Sequence, residues 1–320
     1  MTTGIEQSSQ VLPQRVVFGT ALAKLGAEFP HLVVLDADVS SSTQTALFAQ
    51  AYPKRFFNFG IAEANMVSAA AGMAAVGLLP VVSTFAFLLA VRAGDAVRSL
   101  VAYNRLNVKM AGGYAGLSDF ADGASHQSVE DLAVMTGIPN ITVVAPCDAV
   151  ETRLAVRAML EHAGPVYLRL HRNETPVLTD YSREPFRIGK GKILRDGRDV
   201  SIISTGYMVH KALDAAEALE KEGISAGVVN MSTIKPLDEE LVLECARKTG
   251  RIVTAEEHSV HGGLGGAVAE LLARKHPVPM AFVGVQDTFA ESGDYEKLLE
   301  KYGLTPGAIA GKARGLVRGK

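Results

Sequence analysis

The chain has 320 residues, of which 48% are hydrophobic and 21% charged, as in an ordinary globular protein. Its 31 glycines and 13 prolines are too few and too scattered for a collagenous or disordered chain. Lys and Arg number 32 against 34 acidic residues, so the net charge gives no argument for nucleic-acid binding. Two cysteines cannot form a disulfide framework or a thiolate metal cage. The polar start Met1 to Gln10 lacks a signal-peptide pattern, and the longest apolar stretches are too short for a membrane span. We therefore expect a cytoplasmic protein that binds neither nucleic acid nor membranes.

The first half of the chain alternates between helical and strand patterns. A helix is predicted over residues 16–29, and a buried strand over 32–35 ends in Asp36-Ala37-Asp38 and a Ser/Thr cluster. A strand over 55–59 precedes an alanine-rich helix over 62–76. Further strands are predicted over 81–87, 107–110, 142–145 and 166–170, with helices over 91–102, 128–135 and 149–161. This alternation predicts a parallel sheet covered by helices on both faces.

The second half repeats the alternation after a break. Residues 174–192 carry prolines and charges without a period, which is typical of a linker. Strands are then predicted over 200–204, 226–230, 251–256 and 280–285, with helices over 210–222, 238–249, 266–274 and 295–302. The fold class is thus α/β with two domains, residues 11–175 and 191–320, joined by a linker over 176–190. The second domain shows no catalytic constellation, so we expect it mainly to support assembly.

Three local patterns imitate functional motifs. Gly223 to Gly227 fits G-x-S-x-G, but a predicted helix precedes it and a strand follows, the reverse of a nucleophile elbow. The glycine-rich stretch Gly262 to Gly266 could form an anion nest, although it lacks the third glycine of a dinucleotide fingerprint. His258 and His261 stand beside it without a partnering motif, and are more typical of solvent-facing loop residues.

An ordered series of motifs carries more information. The segment from Phe57 to Asn65 reads FNFGIAEAN, so that Glu63 opens an apolar helix after a glycine turn. Taken alone, Glu63 is more typical of an acid that interacts with the helix dipole. The segments STFAF from Ser83, DGASHQ from Asp122, APCD from Ala145 and LHR from Leu170 follow it in order. Together they resemble the transketolase family, specifically its pyrimidine-binding domain followed by its C-terminal domain, over essentially the whole chain from Val16.

The resemblance implies thiamine diphosphate as cofactor and assigns roles to residues. Glu63 matches the glutamate that hydrogen-bonds N1′ of the cofactor, and Phe85 the aromatic that stacks on its aminopyrimidine ring, although Phe85 also fits a buried core position. Asp122 and His126 match a pair that contacts substrate hydroxyls, and an imidazole can also shuttle protons there. The resemblance further assigns a phosphate-binding arginine, for which a structural ion pair is the alternative, and a loop that shapes the cofactor and substrate sites; the residues are Arg172, and Asp38 with Ser42.

Two departures from the family pattern bear on function. Gly112 to Leu117 stands where a transketolase histidine is usual, which leaves substrate contacts there open. Gly-Asp-Gly with a distal Asn, the signature that holds Mg²⁺ and the diphosphate, is absent from the sequence. The resemblance therefore implies the C-terminal subunit of a split transketolase, without a metal site of its own. It would act on sugar phosphates with an N-terminal subunit that carries this signature, in a heterotetramer.

Two other functions remain open at this stage. The beta subunit of a 2-oxoacid dehydrogenase decarboxylase shares the domain order and the approximate length, and passes an acyl group to a lipoyl domain instead. The segment DGASHQ favours transketolase over that subunit. A non-catalytic relative is the third possibility, against which the joint presence of Glu63, Phe85 and His126 argues.

Overall fold

The computed structural model describes residues 11–319, so the polar segment Met1 to Gln10 lies outside the described residues. The first half of the protein is organised around a seven-stranded sheet, whose strands lie in the order β10-β5-β6-β4-β3-β1-β2, where β10 is Thr233–Lys235. Six of its strands come from the first half of the chain: β1 Leu32–Asp36, β2 Phe56–Asn58, β3 Leu79–Phe85, β4 Lys109–Gly113, β5 Thr142–Val144 and β6 Val166–Arg169. These six run parallel, and all but β2 are buried along their length, as expected for strands covered on both faces.

Helices cover this sheet on both sides. They are α1 Gln14–Leu25, α2 Ser40–Thr43, α3 Ala46–Ala51, α4 Glu63–Ala75, α5 Gly94–Ala96, α6 Asp131–Gly137 and α7 Ala149–Glu161. The helix predicted over 91–102 is instead a composite, with π-helical turns at Leu88–Arg92 and Val97–Ala102 on either side of α5. The buried face of α4 includes the small residues Ala70 and Ala71, which allow it to pack closely against the composite helix.

A five-stranded sheet forms the second half, in the order β12-β11-β8-β9-β7. Its strands are β7 Lys192–Arg195, β8 Val200–Ser204, β9 Ala226–Asn230, β11 Ile252–Ser259 and β12 Met280–Val285, of which only β7 is antiparallel to its neighbour. The surrounding helices are α8 Met208–Glu220, α9 Glu239–Thr249, α10 Leu264–Lys275, α11 Tyr295–Lys301 and α12 Pro306–Val317. The predicted class of two α/β units is confirmed.

The two halves share a sheet edge. β10, Thr233–Lys235, follows β9 in the chain but pairs antiparallel with β5 of the first sheet. The Nζ of Lys235 extends this contact by donating to the carbonyls of Thr136 and Ile138, at 2.8 and 2.6 Å. The sequence does not predict this strand, because its partner lies about 90 residues away and its three residues show no periodic pattern. The second half is thus bound to the first by backbone pairing as well as by side chains.

The parallel strands point their carboxyl ends at one edge of the first sheet. Ligands of open α/β sheets bind at that edge, in the loops that follow the strands. The segments after β1, β3, β4 and β6 all begin there, and each carries a residue assigned by the sequence motifs. Among the helices of residues 11–319, none is both long and apolar enough to cross a bilayer.

Candidate active site

Glu63 lies at the first position of α4, directly after a turn. Gly60 has a φ of +68°, which only glycine adopts without strain, and its N–H donates to Asn58 Oδ1 at 2.9 Å. The Glu63 side chain is only 2% exposed, and its Oε1 lies 3.4 Å from Arg92 Nη1 on the composite helix. A buried carboxylate at a helix start, with one cationic neighbour, is placed to accept a hydrogen bond from a ligand.

The loop after β1 is organised by a carboxylate that the sequence motifs did not single out. Asp36 is fully buried and accepts hydrogen bonds from the N–H of Val39 at 2.7 Å and from the hydroxyls of Thr43 and Thr45 at 3.0 and 2.8 Å. Burial is the main cause that raises the pKa of Asp36. The loop that it supports presents Asp38, exposed and at a φ of +66°, whose N–H and Oδ1 both bond the Asn58 amide.

An aromatic cluster lies at the ends of β3 and β4. The rings of Phe85 and Tyr114 are tilted, with centroids 4.7 Å apart, and the edge of the His126 ring meets Phe85 at 6.1 Å. Arg15 of α1 joins the cluster, because its Nη1 donates to Tyr114 Oη at 3.4 Å and to the Ser42 carbonyl at 3.3 Å. Phe85 therefore has a dual character: it is 9% exposed in a small apolar cluster, and it borders the polar loop that carries His126.

The loop that carries Asp122 and His126 is sandwiched between the two halves of the protein. Gln127 Nε2 donates to the carbonyl of Glu291 at 3.1 Å, and the N–H of Gly293 donates to the carbonyl of Phe120 at 3.0 Å. Ser125 Oγ lies 2.9 Å from His126 Nδ1, so Nε2 is the ring atom left for a bound ligand. The second half of the chain thus fixes the shape of this loop.

One side chain of β11 reaches furthest into that loop. Glu257 is buried, and its Oε1 accepts the N–H of Leu117 at 2.7 Å. Its Oε2 lies 3.2 Å from His171 Nε2, which also contacts Tyr295 Oη at 2.7 Å. The contact leaves no room at Gly116, where a Cβ would come within 2.5 Å of the carboxylate carbon. The sequence contained no signal for this role, since Glu257 stands 140 residues from the loop that it holds.

Arg172 extends from the end of β6 to the same loop. Its guanidinium carbon lies 4.9 Å from the ring centroid of Tyr114 and 4.7 Å from that of Phe120, two cation–π contacts that hold the side chain in place. Its Nη1 is 3.7 Å from Oδ1 of Asp119, and 29% of the side chain is exposed. The guanidinium is therefore oriented with most of its hydrogen-bond donors still available.

Asp119 is the unusual member of this group. It is completely buried, yet neither of its carboxylate oxygens accepts a hydrogen bond from a nitrogen or hydroxyl donor among the described residues. Burial, then the nearby charge of Asp122 and a hydrogen bond between the two carboxyl groups, raise the pKa of Asp119 to about 6, while His126 and Arg172 oppose the shift. The ion pair with Arg172 at 3.7 Å is thus long, and it is the structural alternative that the sequence left open for that arginine.

The structure gathers most of the assigned residues at one edge and connects the rest indirectly. Phe85 and Arg172 both contact Tyr114, His126 contacts Phe85, and Ser42 joins them through Arg15. Asp122 lies beside Asp119 in the same loop. Glu63 and Asp38 have no direct contact with this group; the helical turn Leu88–Arg92 links Glu63 to it, because Leu88 packs against Phe85. Among residues 11–319, no group of three His, Cys, Asp or Glu side chains is placed to hold a metal ion.

Comparisons with known proteins agree with this architecture. Residues 11–177 match the transketolase pyrimidine-binding domain, and residues 189–309 match the transketolase C-terminal domain. A candidate transketolase C-terminal section from Methanocaldococcus jannaschii is 47% identical, over 92% of each chain. A 6-deoxy-6-sulfo-D-fructose transketolase subunit from a Clostridium species is 46% identical, over 86% of this chain and 85% of its own.

A solved structure extends the likeness to three dimensions. A split-gene transketolase, described as an inactive beta4 tetramer, is 48% identical and superposes with a TM-score of 0.88 over 97% of this chain and 99% of its own. Both domain matches together cover nearly all of the described residues. The chain therefore belongs to the transketolase family, of which it carries the pyrimidine-binding domain followed by the C-terminal domain.

Proposed function

We propose that this chain is the C-terminal subunit of a two-chain, thiamine-diphosphate-dependent transketolase that moves a two-carbon ketol unit from a ketose phosphate to an aldose phosphate. The observation that carries the proposal is the position of Glu63 and of the Phe85–His126–Arg172 group at one edge of the first sheet. When bound, the cofactor supplies the carbon that accepts the two-carbon unit and stabilises its developing negative charge.

Glu63 and Phe85 fit the aminopyrimidine half of that cofactor. A carboxylate that is buried and has a single long contact, to Arg92, is suited to hold a proton at N1′. The ring of Phe85 is fixed by Tyr114 and Leu88, so it can stack on a heteroaromatic ring with little loss of side-chain entropy. Asp38 and its Asn58 partner border the turn that precedes Glu63, and we assign them to the shape of the cofactor site.

His126 and Asp122 fit the reacting end of the sugar. His126 is held by Ser125 through Nδ1, and its Nε2 can donate to or accept from a substrate hydroxyl. Asp122 is exposed on the same loop and can accept a hydroxyl proton in a hydrogen bond. Ser42, at the other side of the cluster, adds a further polar group. Arg172, fixed between two rings, suits a terminal phosphate.

The diphosphate half and its Mg²⁺ require a partner chain with the Gly-Asp-Gly and Asn signature. The surface around Glu63 has the character of a covered interface. Six of the nine large hydrophobic side chains exposed in the described chain lie between residues 57 and 103, among them Ile61 at 77% and Tyr103 at 82%. Because α4 and the composite helix present this apolar surface next to Glu63, we assign it to the N-terminal subunit, in a heterotetramer of two plus two.

An experiment that separates the proposed reaction from its alternative uses the reconstituted complex. The chain is co-expressed with a candidate N-terminal subunit, and the purified complex is supplied with thiamine diphosphate and Mg²⁺. We expect ketol transfer between sugar phosphates and no acylation of a lipoyl domain. Lipoyl acylation without sugar transfer would instead identify a 2-oxoacid dehydrogenase beta subunit.

A further inference from the structure

Asp119 differs from the other buried carboxylates of this protein in what surrounds it. Asp36 accepts three hydrogen bonds, Asp131 binds Arg169 and Tyr167, and Glu256 accepts two backbone N–H groups at the start of α10. Asp119 is as deeply buried, and neither of its oxygens accepts a hydrogen bond from a nitrogen or hydroxyl donor among residues 11–319; only the carboxyl of Asp122 is close enough to share a proton with it. A buried polar group without a partner lowers stability, so its presence calls for a functional explanation.

The explanation lies in the charge that Asp119 faces. Arg172 Nη1 is its nearest cation, 3.7 Å away, and Asp122 adds a second negative charge on the same loop. The separation exceeds a normal hydrogen bond, so Asp119 does not occupy the guanidinium donors; it reduces the positive potential that they present. Because Asp119 is buried, salt in the solvent screens its electrostatic interaction with Arg172 only weakly.

A substrate that ends in a phosphate monoester carries close to two negative charges at neutral pH. At Arg172 such a group gains charge-assisted hydrogen bonds, and it is repelled by the nearby carboxylates of Asp119 and Asp122. An uncharged hydroxyl terminus gains less from Arg172 and is not repelled. The Arg172 subsite thus binds anions less strongly than an isolated arginine would. Its relative affinity for phosphate and hydroxyl termini depends on one buried carboxylate, Asp119.

We propose that Asp119 is a specificity-determining residue, which weakens the preference of the Arg172 subsite for doubly charged phosphate termini relative to less charged ones. This inference rests on the proposed function, in which Arg172 contacts the terminal group of the sugar. It concerns the selection of the substrate and not the transfer step.

The test uses Asp119→Asn, which removes the charge and keeps the shape, in the complex with the N-terminal subunit. The measurement is the ratio of kcat/KM for a ketose phosphate donor to kcat/KM for the same ketose without phosphate. We expect Asp119→Asn to raise this ratio about five- to fiftyfold, as the loss of one like charge at short range implies. Asp214→Asn removes an equivalent charge from the exposed surface of α8, and should leave the ratio at its wild-type value.

A parallel variant separates this inference from the proposed function. Arg172→Ala should lower the ratio at least tenfold; an unchanged ratio would remove Arg172 from phosphate recognition and overturn both. If Arg172→Ala lowers the ratio and Asp119→Asn leaves it unchanged or lowers it, the role of Asp119 alone is wrong.

If Asp119→Asn assembles poorly with the N-terminal subunit, phosphate binding to the isolated chain tests the same role. Inorganic phosphate is titrated against the isolated chain, and its effect on the Tm is recorded. We expect phosphate to raise the Tm of Asp119→Asn more than that of the wild type, with the apparent Kd at least fivefold lower. An equal or smaller increase would contradict the role of Asp119.

Discussion

At the scale of single residues, the site depends on carboxylates whose surroundings differ sharply. Glu63 is buried beside one cation, and Asp36 accepts three hydrogen bonds. Neither oxygen of Asp119 accepts a hydrogen bond from a nitrogen or hydroxyl donor among the described residues. Their surroundings therefore give these carboxylates different roles: Asp36 stabilises its loop, Glu63 is available to a ligand, and Asp119 lowers the positive potential of Arg172. Residue type alone could not have separated these roles.

Replacement of Glu63 by Gln should nearly abolish turnover in the reconstituted complex. The amide preserves the size of the side chain and its place at the start of α4, but it cannot exchange a proton with N1′. We expect kcat to fall at least a hundredfold, within the range typical of acid–base groups. Circular dichroism and the Tm should match the wild type, and more than about a tenth of the activity remaining would refute the assigned role.

At the scale of elements, the segment after β4 depends on a contact from the second half of the chain. Gly116 has a φ of +66°, and a Cβ there would meet Glu257 at 2.5 Å. Gly250, at the end of α9, has a nearly identical φ of +64° and nothing within 4 Å. The two glycines therefore share the backbone strain of an alanine substitution and differ only in the collision.

Gly250→Ala should cost about 1 to 2 kcal/mol in the free energy of unfolding, from the left-handed backbone alone. Gly116→Ala should cost clearly more, because either Glu257 or the loop must move, and it should also lower kcat in the complex. Urea denaturation and steady-state kinetics on both variants measure these effects. Equal losses of stability would show that Glu257 does not confine the loop.

A buried ion pair joins the same elements. Asp131 on α6 binds Arg169 of β6 at 2.8 Å, and Arg169 also donates to the carbonyls of Ser128 and Glu257. Although burial alone would raise it, the pKa of Asp131 is lowered by Arg169 and by the Tyr167 hydroxyl. Because this folded-state pKa lies below the unfolded one, the stability from ionised Asp131 is present above about pH 4 and is lost as the pH falls further.

Asp131→Asn should therefore destabilise the chain by about 3 kcal/mol or more at pH 7, since it leaves Arg169 buried without its counter-charge. The difference from the wild type should shrink as the pH falls below 4. Glu28→Gln, which breaks an exposed ion pair with Arg157, should leave the Tm almost unchanged. Similar losses in the two variants would contradict the importance of burial.

The sequence predicts those features of the fold and the site that depend on residues close together in the chain. Local periodicity and short motifs predict the helix at Glu63, the strand that ends at Phe85 and the strand that precedes Arg172. They also predict the alternation into two α/β units. β10 pairs with a strand about 90 residues away, and Glu257 accepts a hydrogen bond from a backbone N–H 140 residues away. No local sequence pattern encodes either contact. α12 was missed although Thr305 caps it and Pro306 follows, which is a recognisable helix start.

At the scale of the whole molecule, one apolar surface has no partner among the residues that the structure describes. α4 buries Met66 and Val67 and exposes Gly72, and Ile61 and Tyr103 are exposed in the neighbouring segments of the chain. A Cβ at Gly72 would meet nothing within 4 Å. The face is therefore smooth and accessible, and a large side chain there would obstruct a docked subunit without disturbing the fold.

Gly72→Arg should keep the Tm of the isolated chain at or above its wild-type value, because arginine favours a helix more than glycine does. It should weaken association with the N-terminal subunit at least tenfold, as measured by analytical ultracentrifugation or surface plasmon resonance. Gly311→Arg introduces the same side chain on exposed α12, where a Cβ also meets nothing, and should bind the partner normally. Equal binding by the two variants would move the interface elsewhere.

The most direct test of the two-chain account is a titration of activity against subunit ratio. The N-terminal subunit is held constant with thiamine diphosphate, Mg²⁺ and sugar phosphate substrates, and this chain is added stepwise while ketol transfer is recorded. We expect no transfer by either chain alone, and a rate that rises linearly and saturates at one equivalent. Transfer by this chain alone, or a rate independent of its addition, would contradict it.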